Sequence, residues 1–140
     1  MTYLLETNVV SELRKRHPDA HVLAWYLGVA SADLFISVLT IGEIRLGIER
    51  LRRKDHAQAD LIEHWLRGLQ VTYADHIVDI DTATADQWGR LNVADPLPVI
   101  DGLLAASAKA RGWTMVTRNT ADLARNGIPV INPFDWPSGA

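Results

Sequence analysis

Short apolar runs rich in β-branched and aromatic residues recur along this chain, and helix-length amphipathic segments separate most of them. Tyr3–Leu5, Leu34–Val38, Ile77–Ile80, Trp113–Thr117 and Pro129–Ile131 read as strands. A strand that must cross a helix before meeting the next strand returns in the same direction, by a right-handed crossover. The predicted fold is therefore α/β, with a mainly parallel central sheet of four to five strands covered on both faces. At 140 residues the chain reads as a single domain, 1–140, long enough to bury a core without disulfides or structural metals.

The intervening helices are delimited by their own chemistry. A first helix over Asn8–Lys15 has Thr7 or Asn8 as its cap, with Glu12 within capping-box reach, and Pro18 ends it. Asp19 caps a second, whose apolar positions are Val22, Leu23, Tyr26 and Leu27. Ile41, Ile44, Ile48 and Leu51 define an amphipathic helix from Thr40 to Arg53. Leu61, Ile62, Trp65 and Leu69 form one stripe of another, over Ala57–Leu69. Asp81 or Thr82 starts a helix reaching Leu91. The segment Asp95-Pro-Leu-Pro-Val is a loop, and the alanine-rich run from Leu103 to Ala110 is a tightly packing helix stopped by Gly112. The residues from Trp136 to Ala140 read as a frayed end.

Composition removes several functional classes. The absence of cysteine excludes disulfides, thiol catalysis and Cys-ligated zinc, and agrees with the cytoplasm. No apolar run approaches a membrane span, and the chain opens directly on a strand rather than a signal peptide. A net charge of −3 argues against a broad basic nucleic-acid footprint while leaving room for a local one. The five histidines lack ligand spacing, and Trp25, Trp65, Trp88 and Trp113 read as core or interface.

Four acids stand where such a sheet gathers its ligands. Glu6 closes the first strand, Glu43 lies on the first turns of the helix after the second, Asp101 opens the alanine-rich helix, and Asp122 follows the fourth strand. The carboxyl edge of a parallel sheet brings such positions together from distant parts of the sequence. Clustered carboxylates raise one another's pKa unless cations neutralise them, and Mg²⁺ suits an all-oxygen site that keeps several waters. Each acid taken singly also has a purely structural explanation: Asp101 as a helix cap, Glu43 on a solvated helix face, Asp122 capping the turn before Gly127.

The stretches Leu4-Leu-Glu-Thr-Asn-Val-Val-Ser-Glu-Leu13, Ser37-Val-Leu-Thr-Ile-Gly-Glu43-Ile-Arg-Leu-Gly47, Asp101-Gly-Leu-Leu-Ala-Ala106 and Val116-Thr-Arg-Asn-Thr-Ala-Asp122-Leu occur in an order and spacing that can be recognised. With the closing Asn132-Pro133-Phe134, the chain resembles the PIN-domain family over nearly its whole length, and within it the VapC and FitB-like ribonuclease toxins. The resemblance implies a three-layer α/β/α sandwich and a Mg²⁺- or Mn²⁺-dependent endoribonuclease acting on RNA. It also implies a homodimer neutralised by a cognate antitoxin, with operator DNA reached only through that antitoxin. Carried over by position, Glu6, Glu43, Asp101 and Asp122 are the metal-binding and catalytic acids; Thr117 and Asn119 line the site, and Thr7 or Asn8 supports the first acid. Glu6 departs from the family's aspartate. Its extra methylene displaces the carboxylate by about 1.5 Å on a fixed backbone, in a site where Mg²⁺ tolerates little distortion. The departure leaves a second reading open: a catalytically weakened scaffold that acts mainly by binding antitoxin and operator.

Basic residues near the motifs have two readings. Arg45, Arg50, Arg52, Arg53 and Lys54 follow Glu43, Arg14, Lys15 and Arg16 follow the first motif, and Arg118 lies inside the fourth. They either pair with acids such as Glu49 and Asp55 on a solvated face, or hold RNA phosphates beside the cut.

Overall fold

A computed structural model describes residues 1–93 and 95–137. Five strands, β1 (Tyr3–Leu5), β2 (Leu34–Ser37), β3 (Ile77–Val78), β4 (Thr114–Val116) and β5 (Val130–Ile131), form one sheet in the order β3-β2-β1-β4-β5. Every neighbouring pair is parallel, with Tyr3 opposite both Leu34 and Thr114. Among the described residues seven α-helices flank it: α1 (Thr7–Arg14), α2 (Ala20–Leu27), α3 (Val38–Arg52), α4 (His56–Thr72), α5 (Thr82–Leu91), α6 (Val99–Arg111) and α7 (Ala121–Arg125).

The two-residue period of the strands divides the core. Leu5, Leu34, Ile36 and Val116 face one layer, with Val9, Val22, Trp25, Ile48 and Leu66 from α1 to α4. Leu4 and Met115 face the other, against Leu104, Ala105 and Ala108 of α6. Adjacent residues of one strand thus serve opposite layers, which is the α/β/α sandwich expected. The alanines let α6 lie close to the sheet, and Ala105, Ala106 and Ala108 are fully buried.

Several boundaries differ from the sequence reading. Neither Thr7 nor Asn8 caps α1: Glu6 occupies the cap position and makes no side-chain cap bond. Glu12 is not part of a capping box; it is buried, accepts the Asp19 N–H at 3.0 Å and pairs with Lys15 at 2.9 Å. Asp19 caps α2, as expected, and Asp81 caps α5 by accepting from the Thr84 N–H. The second strand stops at Ser37, whose hydroxyl accepts the Leu39 N–H and starts α3 two residues early. The third strand ends at Val78, not Ile80, and the fourth loses both end residues of its expected span. Helix α6 begins at Val99, so Asp101 lies in its first turn rather than on its cap, and Gly112 closes it at φ 69°. Helix α4 runs on to Thr72, and Leu61 is solvent-exposed, off the stripe it was expected to share with Ile62, Trp65 and Leu69. A short helix, α7, carries Asp122 where only a turn was foreseen. The predicted frayed end lies in part, at 138–140, outside the described residues.

Candidate active site

The strand order sets the location. Connections leave β1 toward β2 on one side, and the chain later returns to β4 on the other, so the topology switches direction at β1. Glu6 sits at the carboxyl end of that strand, its N–H bonded to the Val116 carbonyl of β4 at 2.9 Å. Helix α3 starts from the carboxyl end of β2 and carries Glu43 in its second turn. Helix α6 runs back against β4, which returns its first turn, with Asp101, to the same edge.

Three of the four predicted acids converge there. The Glu6 pKa lies above its ordinary value, chiefly because the side chain is largely buried, and Asp101 and Glu43 add to this by like-charge repulsion. A hydrogen bond with Asp101 favours the protonated form further. Opposing these, the fully buried Thr117 hydroxyl donates to Glu6 Oε2 and stabilises the carboxylate. The Asn8 amide reaches the same oxygen at 3.4 Å, and the Asn119 N–H donates to Thr117 Oγ1 at 3.0 Å. Thr117 is therefore held on one side by backbone and commits its single proton to Glu6.

The expectation that Thr7 or Asn8 supports the first acid divides between them. Asn8 supports Glu6, but the Thr7 hydroxyl donates to Glu43 Oε1 at 2.6 Å and lies 3.1 Å from the Thr40 hydroxyl. Thr40 is fully buried and fixes the Thr7 oxygen from beneath. Sequence reasoning did not single it out; its position three residues before Glu43, on the inner side of α3, was the available signal.

Asp122 stands apart. Its carboxylate is paired with Arg125 and receives the Asn119 amide at 3.4 Å. Arg125 also reaches Asp95 at 3.2 Å, a link across thirty residues that no local spacing announces. Asn119 connects the two groups, with its backbone on Thr117 and its side chain on Asp122.

Support for Asp101 comes from below. Gly102 is buried where α5 meets α6, and a Cβ there would stand 3.1 Å from Trp88 Nε1 and 3.2 Å from the Asn92 amide nitrogen. Trp88 Nε1 is buried without a hydrogen-bond partner. The close approach at Gly102 lets α5 brace the turn that carries Asp101.

Among the described residues, no three Asp, Glu or His side chains stand in a ready-made metal-binding geometry. The donors nonetheless fit a hard divalent ion in kind. They are all oxygens, they converge on one edge, and Glu6 has a raised proton affinity, first because it is largely buried and then because Asp101 and Glu43 share its charge. Glu6, with Glu43 and Asp101, would hold such an ion.

The basic residues divide as well. Arg45 and Arg52 are consumed by acids, both bonding Glu63, with Arg45 also on Glu49 and Arg52 on Asp60. Asp55, expected as an ion-pair partner, instead caps α4 through the Gln58 N–H. Arg14 lines a cleft of about 210 Å³ with Thr7 and Glu43. His76 serves structure: its Nδ1 lies 2.8 Å from the Leu34 carbonyl, and its ring stacks on Phe35. No helix among the described residues is long and apolar enough to cross a membrane.

Comparison with known proteins agrees with this fold. The model of the PIN domain matches residues 3–128. The plasmid stability protein StbB of Pseudomonas syringae pv. tomato is 32% identical, over 94% of this chain and 98% of its own length. The VapC ribonuclease Y4jK of Sinorhizobium fredii is 31% identical, over 94% and 97%. The crystal structure of FitAcB from Neisseria gonorrhoeae superposes with a TM-score of 0.88 at 26% identity, over 96% of this chain and 99% of that one. On its sequence, its parallel sheet and the acids at its carboxyl edge, the chain belongs to the PIN-domain family.

Proposed function

We propose that this chain is a Mg²⁺-dependent endoribonuclease, with Mn²⁺ able to substitute, and the toxin of a toxin–antitoxin pair. The observation that carries the reading is the convergence of Glu6, Glu43 and Asp101 at the switch point of a parallel sheet, where burial and like charge raise the Glu6 pKa. Four motifs in family order and relatives named as ribonuclease support the same chemistry.

Each residue has a task in this reading. Glu6, Glu43 and Asp101 hold the ion, and Asp122 completes the acidic set when it leaves Arg125. Thr117 orients Glu6 and favours its carboxylate form, Thr7 orients Glu43, and Asn119 ties Thr117 to the α7 segment. A bound divalent ion supplies Lewis acidity at the phosphodiester and lowers the pKa of water, chemistry worth several orders of magnitude in rate. The test is cleavage of total RNA with Mg²⁺, with Mn²⁺ and with EDTA, beside Asp101→Asn. Loss of cleavage in EDTA and in Asp101→Asn is expected; undiminished cleavage in either refutes the metal mechanism.

Partner binding belongs to the same reading. An open groove of about 430 Å³ lies between α1, α2 and α4, with Leu13, Leu23, Leu27, Trp65 and Leu69 on its walls. Leu27 and Leu61 are exposed apolar side chains nearby in α2 and α4. Such a surface suits an antitoxin segment or a second copy of the chain, and operator DNA would be reached through the antitoxin. Light scattering of the isolated chain, then titration with the product of the adjacent small gene, tests this; a monomer that the product neither binds nor inhibits refutes it.

A second reading has its own observation. The Glu6 carboxylate, a methylene longer than aspartate, is bonded by Thr117 and Asn8 in an arrangement that holds it off a shared metal position. A weakened PIN scaffold acting mainly through antitoxin and operator would follow from that, and the Glu6→Asp variant separates the two.

A further inference from the structure

We infer that Arg118 is a phosphate-binding residue for single-stranded RNA, held in place by the Asn132-Pro133-Phe134 turn. The inference rests on the ribonuclease reading above. Arg118 lies between two residues of the candidate site: Thr117, which grips Glu6, and Asn119, which grips Thr117 and reaches Asp122. Its guanidinium carbon stands 3.7 Å from the centroid of the Phe134 ring. Among the described residues it has no carboxylate partner, whereas Arg125 of α7 is bound by Asp122 and Asp95. An exposed cation that no acid neutralises, fixed at the lip of an acidic centre, is what an anionic polymer needs to approach that centre.

The support beneath it is built. The Asn132 side chain accepts the Phe134 N–H at 3.0 Å, Pro133 is buried, and Phe134 packs against the core cluster of the α1–α4 layer. The Trp136 carbonyl lies 2.6 Å from His21 Nδ1 of α2, which fastens the far end of the turn. Stacking uses the face of the guanidinium and leaves its in-plane N–H donors free, so a phosphate can bind the edge while the ring holds the face. The closing Asn-Pro-Phe motif, which no ion-binding role explains, thereby acquires one: it restricts the arginine before substrate arrives.

The test is anisotropy titration of a short fluorescein-labelled single-stranded RNA of mixed sequence, with Ca²⁺ in place of Mg²⁺, at several salt concentrations. One phosphate contact contributes about 0.7 to the slope of log Kd on log salt, equivalent to about fivefold in affinity near 0.1 M salt. Arg118→Gln should lose that slope and that fivefold, and Arg118→Lys should retain the slope. Phe134→Leu should keep the slope and weaken binding by about two- to fivefold, the worth of an exposed cation–π contact. A purely structural role moves thermal stability and leaves the slope alone. Wild-type slope in Arg118→Gln overturns the inference while Mg²⁺-dependent cleavage by the native chain leaves the ribonuclease reading standing. Absence of both RNA binding and cleavage in the native chain overturns both.

Discussion

Thr117 offers a direct test of whether the site is held by polarity or by packing. The residue is fully buried at the end of β4; its hydroxyl donates to Glu6 and accepts from the Asn119 N–H at 3.0 Å. Thr117→Val keeps the volume and removes the hydroxyl. A hydrogen bond to a charged group contributes about 1.5–3 kcal/mol, and the stranded Asn119 N–H adds about 0.5–1.5 kcal/mol, so the expected loss is about 2–4 kcal/mol. Thr117→Ser keeps both bonds and removes one methyl group, which costs about 0.5–1.5 kcal/mol. Packing alone predicts the reverse order, because serine leaves a cavity and valine does not.

The assay is urea denaturation in EDTA. With an m-value of about 2 kcal/mol/M, valine should lower the midpoint by about 1–2 M and serine by well under 1 M. The functional consequence has a sign too. The Thr117 bond is the principal contact that lowers the Glu6 pKa, so its loss raises that pKa further. The acid limb of the cleavage–pH profile should then move to higher pH in Thr117→Val and stay in place in Thr117→Ser. A valine variant at least as stable as the serine variant would refute this account of the site.

Three further outcomes are expected. The folded-state pKa of Glu6 lies above its ordinary 4.5, so its contribution to stability is fully present below that value and is lost as pH rises through the folded pKa; Glu6→Gln should remove that slope, read as the difference between the two proteins' stability–pH curves in EDTA, and identical curves would exclude it. Glu6→Asp, withdrawing the carboxylate by about 1.5 Å, should raise single-turnover cleavage at saturating Mg²⁺, whereas equal rates would show the longer side chain to be harmless. Gly102→Val, forced against Trp88 and Asn92, should destabilise by about 1–3 kcal/mol and weaken Mg²⁺ binding by displacing Asp101, and a variant with native urea midpoint and Mg²⁺ affinity would show that α5 does not brace the site.

The layers of the fold were legible because they rest on short-range rules. Alternation in Leu4-Leu5 and Met115-Val116 assigns each residue to a layer, Asp19 and Asp81 satisfy N–H groups two or three residues away, and Gly112 supplies the left-handed closure of α6. What escaped was set by partners distant in sequence or by local competition between two permitted states. Val38 has strand propensity, but the Ser37 hydroxyl was free to cap, so the helix won. Glu12 reads as a capping-box acid, yet the backbone N–H it accepts belongs to Asp19, past the break at Pro18. The acids of the site followed the same division. Their arrival at one edge was dictated by strand order, which alternating strands and helices announce. Their partners depend on helical phase: one residue along α1 separates Thr7, which turns to Glu43 on α3, from Asn8, which turns to Glu6 and Thr117. A rotation of 100° per residue, invisible in the motif Glu-Thr-Asn, decides which acid each side chain serves. That phase is also why substitutions at Thr7 and Asn8 should separate Glu43 from Glu6 in function, although the two positions are neighbours in the chain.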